Sequence, residues 1–340
     1  MPTPVVIDKK NVLVTGGAGF VGSHLCEALL KTGARVICLD NFVTSQESNI
    51  DQLLQHTDFE FIRHDINQPF DPEGFPELTR FKLKFQGIQE IYHMACPTSP
   101  KKFDQYRMQT LLANSTGMKN VLDLAVRFQS RFLQASTSVV YGTRPADRHP
   151  FREEESGGSD VLSPRACYDE GKRFAESMCA TYQQVHNLDV RIARMFRTYG
   201  PRMPLYDGQM VPDFIVNAFD GKDLEIYGDE TFMTSMVYVS DMVDGLIKYM
   251  AAPAGIGPMN LGSDVDIPLL EVAHRIIEMT GSASKVTFKE ALLFMTELGL
   301  PDLSKVKEKL DWMPLVGLDD GLKQTIDYTM AHRSLLSFQT

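Results

Sequence analysis

The sequence predicts an α/β protein: a doubly wound parallel sheet, with a smaller lobe contributed by the second half of the chain. Three observations carry this reading. An apolar run, Val12-Leu-Val14, leads through a glycine turn into the helical spacing Val21, Leu25, Leu29. Strand and helix patterns then alternate as far as Phe196, the order that builds a parallel sheet covered on both faces. From Tyr199 the texture changes: Gly200-Pro-Arg-Met-Pro204 breaks the alternation and shorter elements follow.

The first strand, turn and helix carry the strongest local signal. Gly16, Gly19 and Gly22 recur at every third position. The first lets the backbone turn sharply, the second removes a side chain that would block a pyrophosphate, and the third lets helix pack on strand. The helix start, at Phe20 and Val21, offers unpaired N–H groups and a positive dipole end to such an anion. A glycine triplet is weak alone. Here an acidic residue also closes the next strand, Arg35-Val-Ile-Cys-Leu-Asp40, at about the 20-residue distance expected of a dinucleotide site. Asp40 would accept hydrogen bonds from the adenosine ribose and repel a 2′-phosphate, which favours NAD over NADP.

The remaining elements follow in order. A loop from Asn41 to Ser48 precedes a short helix near Ile50–Gln55. Phe59–Asp65, Ile88–Ala95, Phe132–Thr137 and Val190–Phe196 read as the next four strands. Asp65 is either a contact to the adenine edge or a turn former. Helical spacing joins Met108, Leu111, Leu112, Ser115, Met118, Val121, Leu122 and Ala125. It recurs at Phe174, Met178, Tyr182 and Val185 within a helix from Cys167 to His186, and each stripe is a core face or an interface. In the second half Met210–Ala218, Asp241–Met250 and Leu269–Thr280 read as helices, and Leu224–Tyr227 and Met259–Gly262 as strands. Asp302–Leu310 reads as a short helix anchored by Trp312. The expected organisation is a cofactor domain at 1–198 that the chain rejoins at about 236–262, a lobe from 199–235 and 263–330, and a tail at 331–340. The lobe would close over the crevice at the C-terminal strand ends, where such sheets bind ligands.

Composition narrows the partners. A net charge of −10 argues against nucleic acid or an anionic membrane surface. No apolar run approaches the ~20 residues of a membrane span, and Met1–Lys10 puts its apolar residues before its charges, the reverse of a signal peptide. The 5 cysteines form no CxxC and are odd in number, as expected of free thiols in a reducing cytoplasm. The 8 histidines show no zinc-type spacing, so no metal site is expected.

Tyr168-Asp-Glu-Gly-Lys172 sets a phenol and an ammonium on one helix face. A phenol is a poor base at neutral pH, but a nearby ammonium and a positive nicotinamide ring favour its phenolate. Ser136-Thr-Ser138 ends the preceding strand, where a hydroxyl can orient an alcohol. Cofactor, base and hydroxyl together describe hydride abstraction from a secondary alcohol.

These residues resemble the extended short-chain dehydrogenase/reductase family and, within it, the UDP-glucuronate decarboxylases. The likeness covers nearly the whole chain. It lies in Thr15-Gly-Gly-Ala-Gly-Phe-Val-Gly-Ser-His24, Leu39-Asp-Asn-Phe42, His93-Met-Ala-Cys-Pro-Thr-Ser-Pro100, Pro164-Arg-Ala-Cys-Tyr-Asp-Glu-Gly-Lys-Arg173, Tyr199-Gly-Pro-Arg-Met203 and Tyr238-Val-Ser-Asp241. The resemblance implies a Rossmann-type fold whose NAD oxidises a sugar at C4, after which CO2 leaves and the 4-keto pentose is reduced. It implies Tyr168, Lys172, Thr137 and Ser138 as catalytic residues, and it adds Asn41, Asp65, Ile66, Met94 and Ala95 to the cofactor site. For the substrate it implies Pro97, Ser99, Ser138, Val139, Arg197, Arg202, Tyr227 and Thr234. It also implies a homodimer formed through a four-helix bundle.

The family pattern is broken in places. Val139 stands where a glutamate is expected near the sugar's C5, and Thr234 stands where an arginine grips the substrate. Leu298-Gly299 replaces a pair of arginines, and Arg197 replaces an asparagine at the diphosphate. Either Arg197 takes over the charge lost at Thr234 and the substrate is still a nucleotide sugar, or the clamp is gone and the substrate is another sugar or polyol. After C4 oxidation a β-keto acid still loses CO2 readily, whereas 4,6-dehydration needs further proton transfers. C4 epimerisation needs only the return of the hydride. A non-catalytic NAD-binding protein is the reading from another class. Asp71 to Gly87 is longer than the family's link there and reads as a surface excursion, with a lid or partner contact as the alternative.

Overall fold

A computed structural model of the chain describes residues 9–99, 103–290 and 298–336. Met1–Asp8, Pro100, Thr296-Glu297 and the last four residues of the expected tail lie outside the described residues. The first half runs β1 (Asn11–Thr15), α1 (Phe20–Lys31), β2 (Arg35–Asp40), β3 (Phe59–Arg63), α2 (Leu83–Gln86), β4 (Glu90–His93), α3 (Phe103–Leu112), α4 (Met118–Phe128), β5 (Arg131–Thr137), α5 (Ala166–His186) and β6 (Val190–Met195). The second half adds β7 (Thr198–Tyr199), α6 (Met210–Phe219), β8 (Leu224–Tyr227), β9 (Met233–Thr234), β10 (Val237–Tyr238) and α7 (Val239–Ala251). It ends with β11 (Met259–Leu261), β12 (Ile267–Pro268), α8 (Leu269–Thr280), β13 (Val286–Lys289), α9 (Ser304–Leu310) and α10 (Leu318–Leu336).

Seven strands form the central sheet in the order β11-β6-β5-β4-β1-β2-β3, and every pairing is parallel. The order reverses between β1 and β4, and the ligand crevice of such a sheet opens at that point. Alternation along the strands divides the core: Val12 and Val14 face one cluster with α1 and α7, while Leu13 faces the other with α4 and α5. The chain returns to the sheet edge at β11, held by Trp312, which is 1% exposed. Its Nε1 donates to Asp241 O at 3.1 Å, and the Asp241 carboxylate accepts from the Leu315 and Val316 amides.

Three expectations change. The helix expected near Ile50–Gln55 is instead two 3-10 turns, Glu47–Asn49 and Asp51–Leu53. Ile50 and Leu53 are its buried residues, and their spacing of three is satisfied by the tighter turn. The stripe from Met108 to Ala125 is one path with a π-helical turn, Ala113–Gly117, between α3 and α4. Its far half (Met118, Val121, Leu122, Ala125) is core, whereas Met108, Leu111 and Leu112 are exposed. The 71–87 excursion is not a lid. Leu78, Phe81 and Leu83 are buried in the core, and Asn11 Nδ2, at the N-terminal end of β1, donates to Phe81 O and Gly87 O. That places it at the end of the sheet opposite the crevice.

Candidate active site

One cavity follows the C-terminal ends of the strands, and all of the residues expected to hold the cofactor line it: Gly16, Gly19, Phe20, Val21, Gly22, Asp40, Asn41, Asp65, Ile66, Met94, Ala95, Tyr168 and Lys172. The three glycines differ in their physical roles. Gly16 has φ +68°, and a Cβ there would lie 2.7 Å from Ala95 Cα, so the close approach of β1 and β4 requires glycine. A Cβ on Gly22 would sit 2.1 Å from Gly16 O. At Gly19, the N-cap of α1, the nearest atom would be Gly16 O at 3.1 Å, so the missing side chain opens space rather than relieving a clash within the protein. No side chain caps α1 and its first turn holds no acid. An open helix N-terminus beneath a bare backbone fits a pyrophosphate.

Asp40 Oδ2 accepts from the Ala18 amide at 3.1 Å, and Oδ1 accepts from the Phe42 amide and the Ser45 hydroxyl. These bonds fix the carboxylate at the cavity wall. Asp65 forms the expected turn, its Oδ1 accepting from the Asn67 amide, and it also lines the cavity. The π-helical turn brings Gly117 against Ile66, where a Cβ would lie 2.7 Å from Ile66 Cδ1. At the end of β4 the buried His93 ring pairs with Thr15 Oγ1 of β1 at 2.7 Å. Burial, with help from the Lys172 ammonium, lowers its pKa to about 3, so it is neutral.

The cofactor end gives way to the catalytic set. Thr137 and Tyr168 are joined by a side-chain hydrogen bond, and Thr137 Oγ1 also accepts from the Val139 amide at 3.4 Å. Lys172, 4% exposed, donates to Ala135 O at 2.8 Å, and its Nζ lies 5.9 Å from the Tyr168 ring centre. Burial pushes the Tyr168 phenol up, the Cys96 thiol adds to this, and Thr137 and Arg165 pull it back in part. Lys172, whose ammonium is turned to the Ala135 carbonyl, is not among the main influences on the phenol. Ser136, beside Thr137, donates to Glu176, which is paired with Arg194 at 2.8 Å.

Beyond the catalytic set the cavity is lined by Pro97, Ser99, Ser138, Val139, Arg165, Met195, Phe196, Arg197, Met203, Asp207 and Leu298. Arg197 reaches Thr234 Oγ1 at 3.0 Å and Met210 Sδ at 3.2 Å. It is enclosed by protein except toward the cavity, and burial, with Arg165 nearby, lowers its pKa to about 10. Ser99 donates to Asp207. Three expected substrate residues do not line the cavity, and of these Thr234 is buried and joined to it only through Arg197. Arg202, at φ +68°, turns to α1 and pairs with Glu27 at 2.6 Å, and Tyr227 lies on β8 with its hydroxyl directed to Glu225. Arg165, Cys96 and Asp207 were missed although two of them lie in the quoted motifs; Asn114, which donates to Cys96 Sγ at 3.2 Å from the π-helical turn, had no local signal.

Residues 12–262 match the NAD dependent epimerase/dehydratase family. The chain belongs to this family. UDP-glucuronic acid decarboxylase 1 of Xenopus tropicalis is 39% identical over 321 residues, covering 94% of this chain and 72% of that protein. An epimerase from Methanothermobacter thermautotrophicus has a similar structure, with a TM-score of 0.85 and 28% identity, covering 98% and 95% of the two chains. UDP-glucuronic acid 4-epimerase from Bacillus cereus, solved with UDP-glucuronic acid and NAD, superposes with a TM-score of 0.81 at 26% identity, covering 94% and 99%. This family member is an NAD-dependent enzyme of the short-chain dehydrogenase/reductase type, and the glycine turn, Asp40 and Lys172 are the groups that would hold NAD. No helix among the described residues is long and apolar enough to cross a membrane.

Proposed function

We propose that this enzyme oxidises the C4 hydroxyl of a nucleotide-linked sugar. The observation that carries the reading is the hydrogen-bonded Thr137–Tyr168 pair, which lies in one cavity between the cofactor end and the guanidiniums of Arg165 and Arg197. Thr137 and Ser138 orient the hydroxyl, and Tyr168 removes its proton. When bound, NAD supplies the hydride acceptor and a positive ring that favours the phenolate. Lys172 anchors the ribose, and its buried ammonium adds to that field. Arg197, with only neutral partners of its own, is suited to a phosphate of the nucleotide. Relatives named for UDP-glucuronic acid support a nucleotide sugar.

We infer further that the enzyme is a cytoplasmic homodimer. Met108, Leu111 and Leu112 on α3 are exposed, as are Phe174 and Val185 on α5, and the two helices touch. A second copy covering this face would complete a four-helix bundle. Light scattering should give twice the chain mass, and Phe174→Asp should give monomers.

The catalytic reading is tested by incubating the NAD-loaded enzyme with UDP- and dTDP-sugars and following the NADH absorbance band. Tyr168→Phe is expected to lower turnover by about 10²–10⁴-fold with NAD still bound. Unchanged turnover would remove Tyr168 as the base. Bound NAD with no response to any nucleotide sugar would favour a non-catalytic protein.

A further inference from the structure

We propose that the sugar carries an uncharged substituent on the ring carbon beside the one oxidised, and that Val139 is the residue that selects it. This rests on the C4-oxidation reading. Val139 follows Thr137 by two residues, its amide is bonded to Thr137 Oγ1, and it lines the cavity at 7% exposure. Because Thr137 is bonded to Tyr168, the valine methyls lie next to the place where the alcohol reacts. A substituent on a neighbouring ring carbon must pass close to them.

Val139 shares the cavity wall with three other apolar residues, Met195, Phe196 and Leu298. Met195 is the register partner of Thr137 on the adjacent strand, and Phe196 is 5% exposed. Phe196 is packed so closely that a Cβ on Gly262 would lie 2.6 Å from its own Cβ. Leu298 is carried to the cavity by a segment whose Leu300 O accepts from the Phe151 amide at 2.7 Å. The charges that line the cavity have other positions or partners. Asp40 and Asp65 belong to the cofactor end, and Asp207 is bonded to Ser99. The Lys172 ammonium is on Ala135 O, Arg165 is paired with Asp169 at 3.3 Å, and Arg197 lies with Thr234 and Met210. A carboxylate at the neighbouring carbon would exchange water for the Val139 methyl groups, and no cation of the cavity stands on that residue's own turn.

The same wall limits the chemistry. Among the described residues beside Val139 there is no carboxylate to move a proton at the neighbouring carbon. The balanced step is then confined to C4: the C–H hydrogen and its electron pair leave to NAD and return, and the hydroxyl proton leaves to Tyr168 and returns. No other bond of the sugar breaks, so the product has the mass of the substrate.

The test compares UDP-glucose with UDP-glucuronate, which differ only in a hydroxymethyl against a carboxylate at C5, on the NAD-loaded full-length enzyme. Initial rates and product masses are measured for the parent and for Val139→Thr, a near-isosteric change that adds a hydroxyl donor without a new charge; bound NAD reports that each protein is folded. The parent is expected to favour UDP-glucose by about 10²-fold in kcat/KM, with a product of unchanged mass from that sugar. Val139→Thr should narrow that ratio at least threefold. Equal or better use of UDP-glucuronate by the parent, or an unchanged ratio in Val139→Thr, would overturn the role of Val139 while leaving C4 oxidation standing. No NADH signal and no product with either sugar would overturn C4 oxidation, and this inference with it.

Discussion

Replacing Arg197 with methionine should produce opposite effects on stability and on binding. The guanidinium donates only to a threonine hydroxyl at 3.0 Å and a thioether at 3.2 Å, and no carboxylate contributes to its electrostatics. A fall from 12.5 to about 10 corresponds to about 3 kcal/mol against the charged form, and water in the cavity screens that to about 1–2 kcal/mol. Methionine keeps the length and the packing while removing this cost. The ligand-free variant should therefore melt at the parent's temperature or a few degrees above it. Binding should move the other way. Each charge-assisted hydrogen bond to a phosphate is worth about 1.5–3 kcal/mol, so losing a bidentate pair should weaken UDP by about 10²–10⁴-fold. Calorimetric titration with UDP, with NAD titration as control, and thermal unfolding of the free protein check both halves. A variant that binds UDP within threefold of the parent, or melts well below it, would show that Arg197 is a structural strut and not an anion site.

Two glycines of the turn should separate in their effects. Gly22→Ala drives a Cβ to 2.1 Å from Gly16 O and should lower both Tm and NAD binding, whereas Gly19→Ala meets only a 3.1 Å contact and should keep its fold but bind NAD at least ~10-fold more weakly. Normal NAD affinity in Gly19→Ala would show that no ligand approaches that backbone. Stability should fall in acid: burial holds His93 at about 3 and His24 at about 4, while unfolded histidines titrate near 6.5. The unfolded chain then binds more protons across this window, so the stabilisation is complete above pH ~6.5 and is lost progressively toward pH 4 and below. Urea midpoints between pH 7 and 4 would show the slope, and His93→Gln should flatten it.

The cofactor half was readable because its signals are local. The turn from Val12 to Gly22 and the acid at Asp40 lie on one strand–helix–strand unit, and hydrophobic spacing alone placed every strand of the first half. The substrate half draws its side chains from distant segments. Arg197 and Thr234 are far apart in sequence, and only the folded chain shows that they touch. Arg202 lies in a motif that promises the cavity, yet its own left-handed backbone accompanies a side chain turned to Glu27. Tyr227 is carried away by pairing of β8 with β13. The Tyr168–Lys172 spacing was read correctly as a helix pair. The bond from Lys172 to Ala135 O, which fixes where its ammonium sits, depends on the strand beneath and has no trace in the spacing.

The departures from the family pattern are of two kinds, and the geometry separates them. Arg197 and Thr234 are reciprocal: the arginine present at one position contacts the threonine at the other, so a positive charge still borders the cavity there. Val139 and Leu298 have no such reciprocation. Both line the cavity, both are apolar, and Gly299 cannot regain a long side chain because a Cβ there would lie 2.5 Å from the Phe151 ring. A clamp whose charge has moved by one contact still suits an anion, whereas a wall whose charges have gone suits a different neighbour. This supports a nucleotide end kept in function and a sugar end changed in specificity. It also gives the two sets of variants different signatures: substitutions at Arg197 should act on the affinity for UDP itself, and substitutions at Val139 should act on the choice between sugars that share the same UDP.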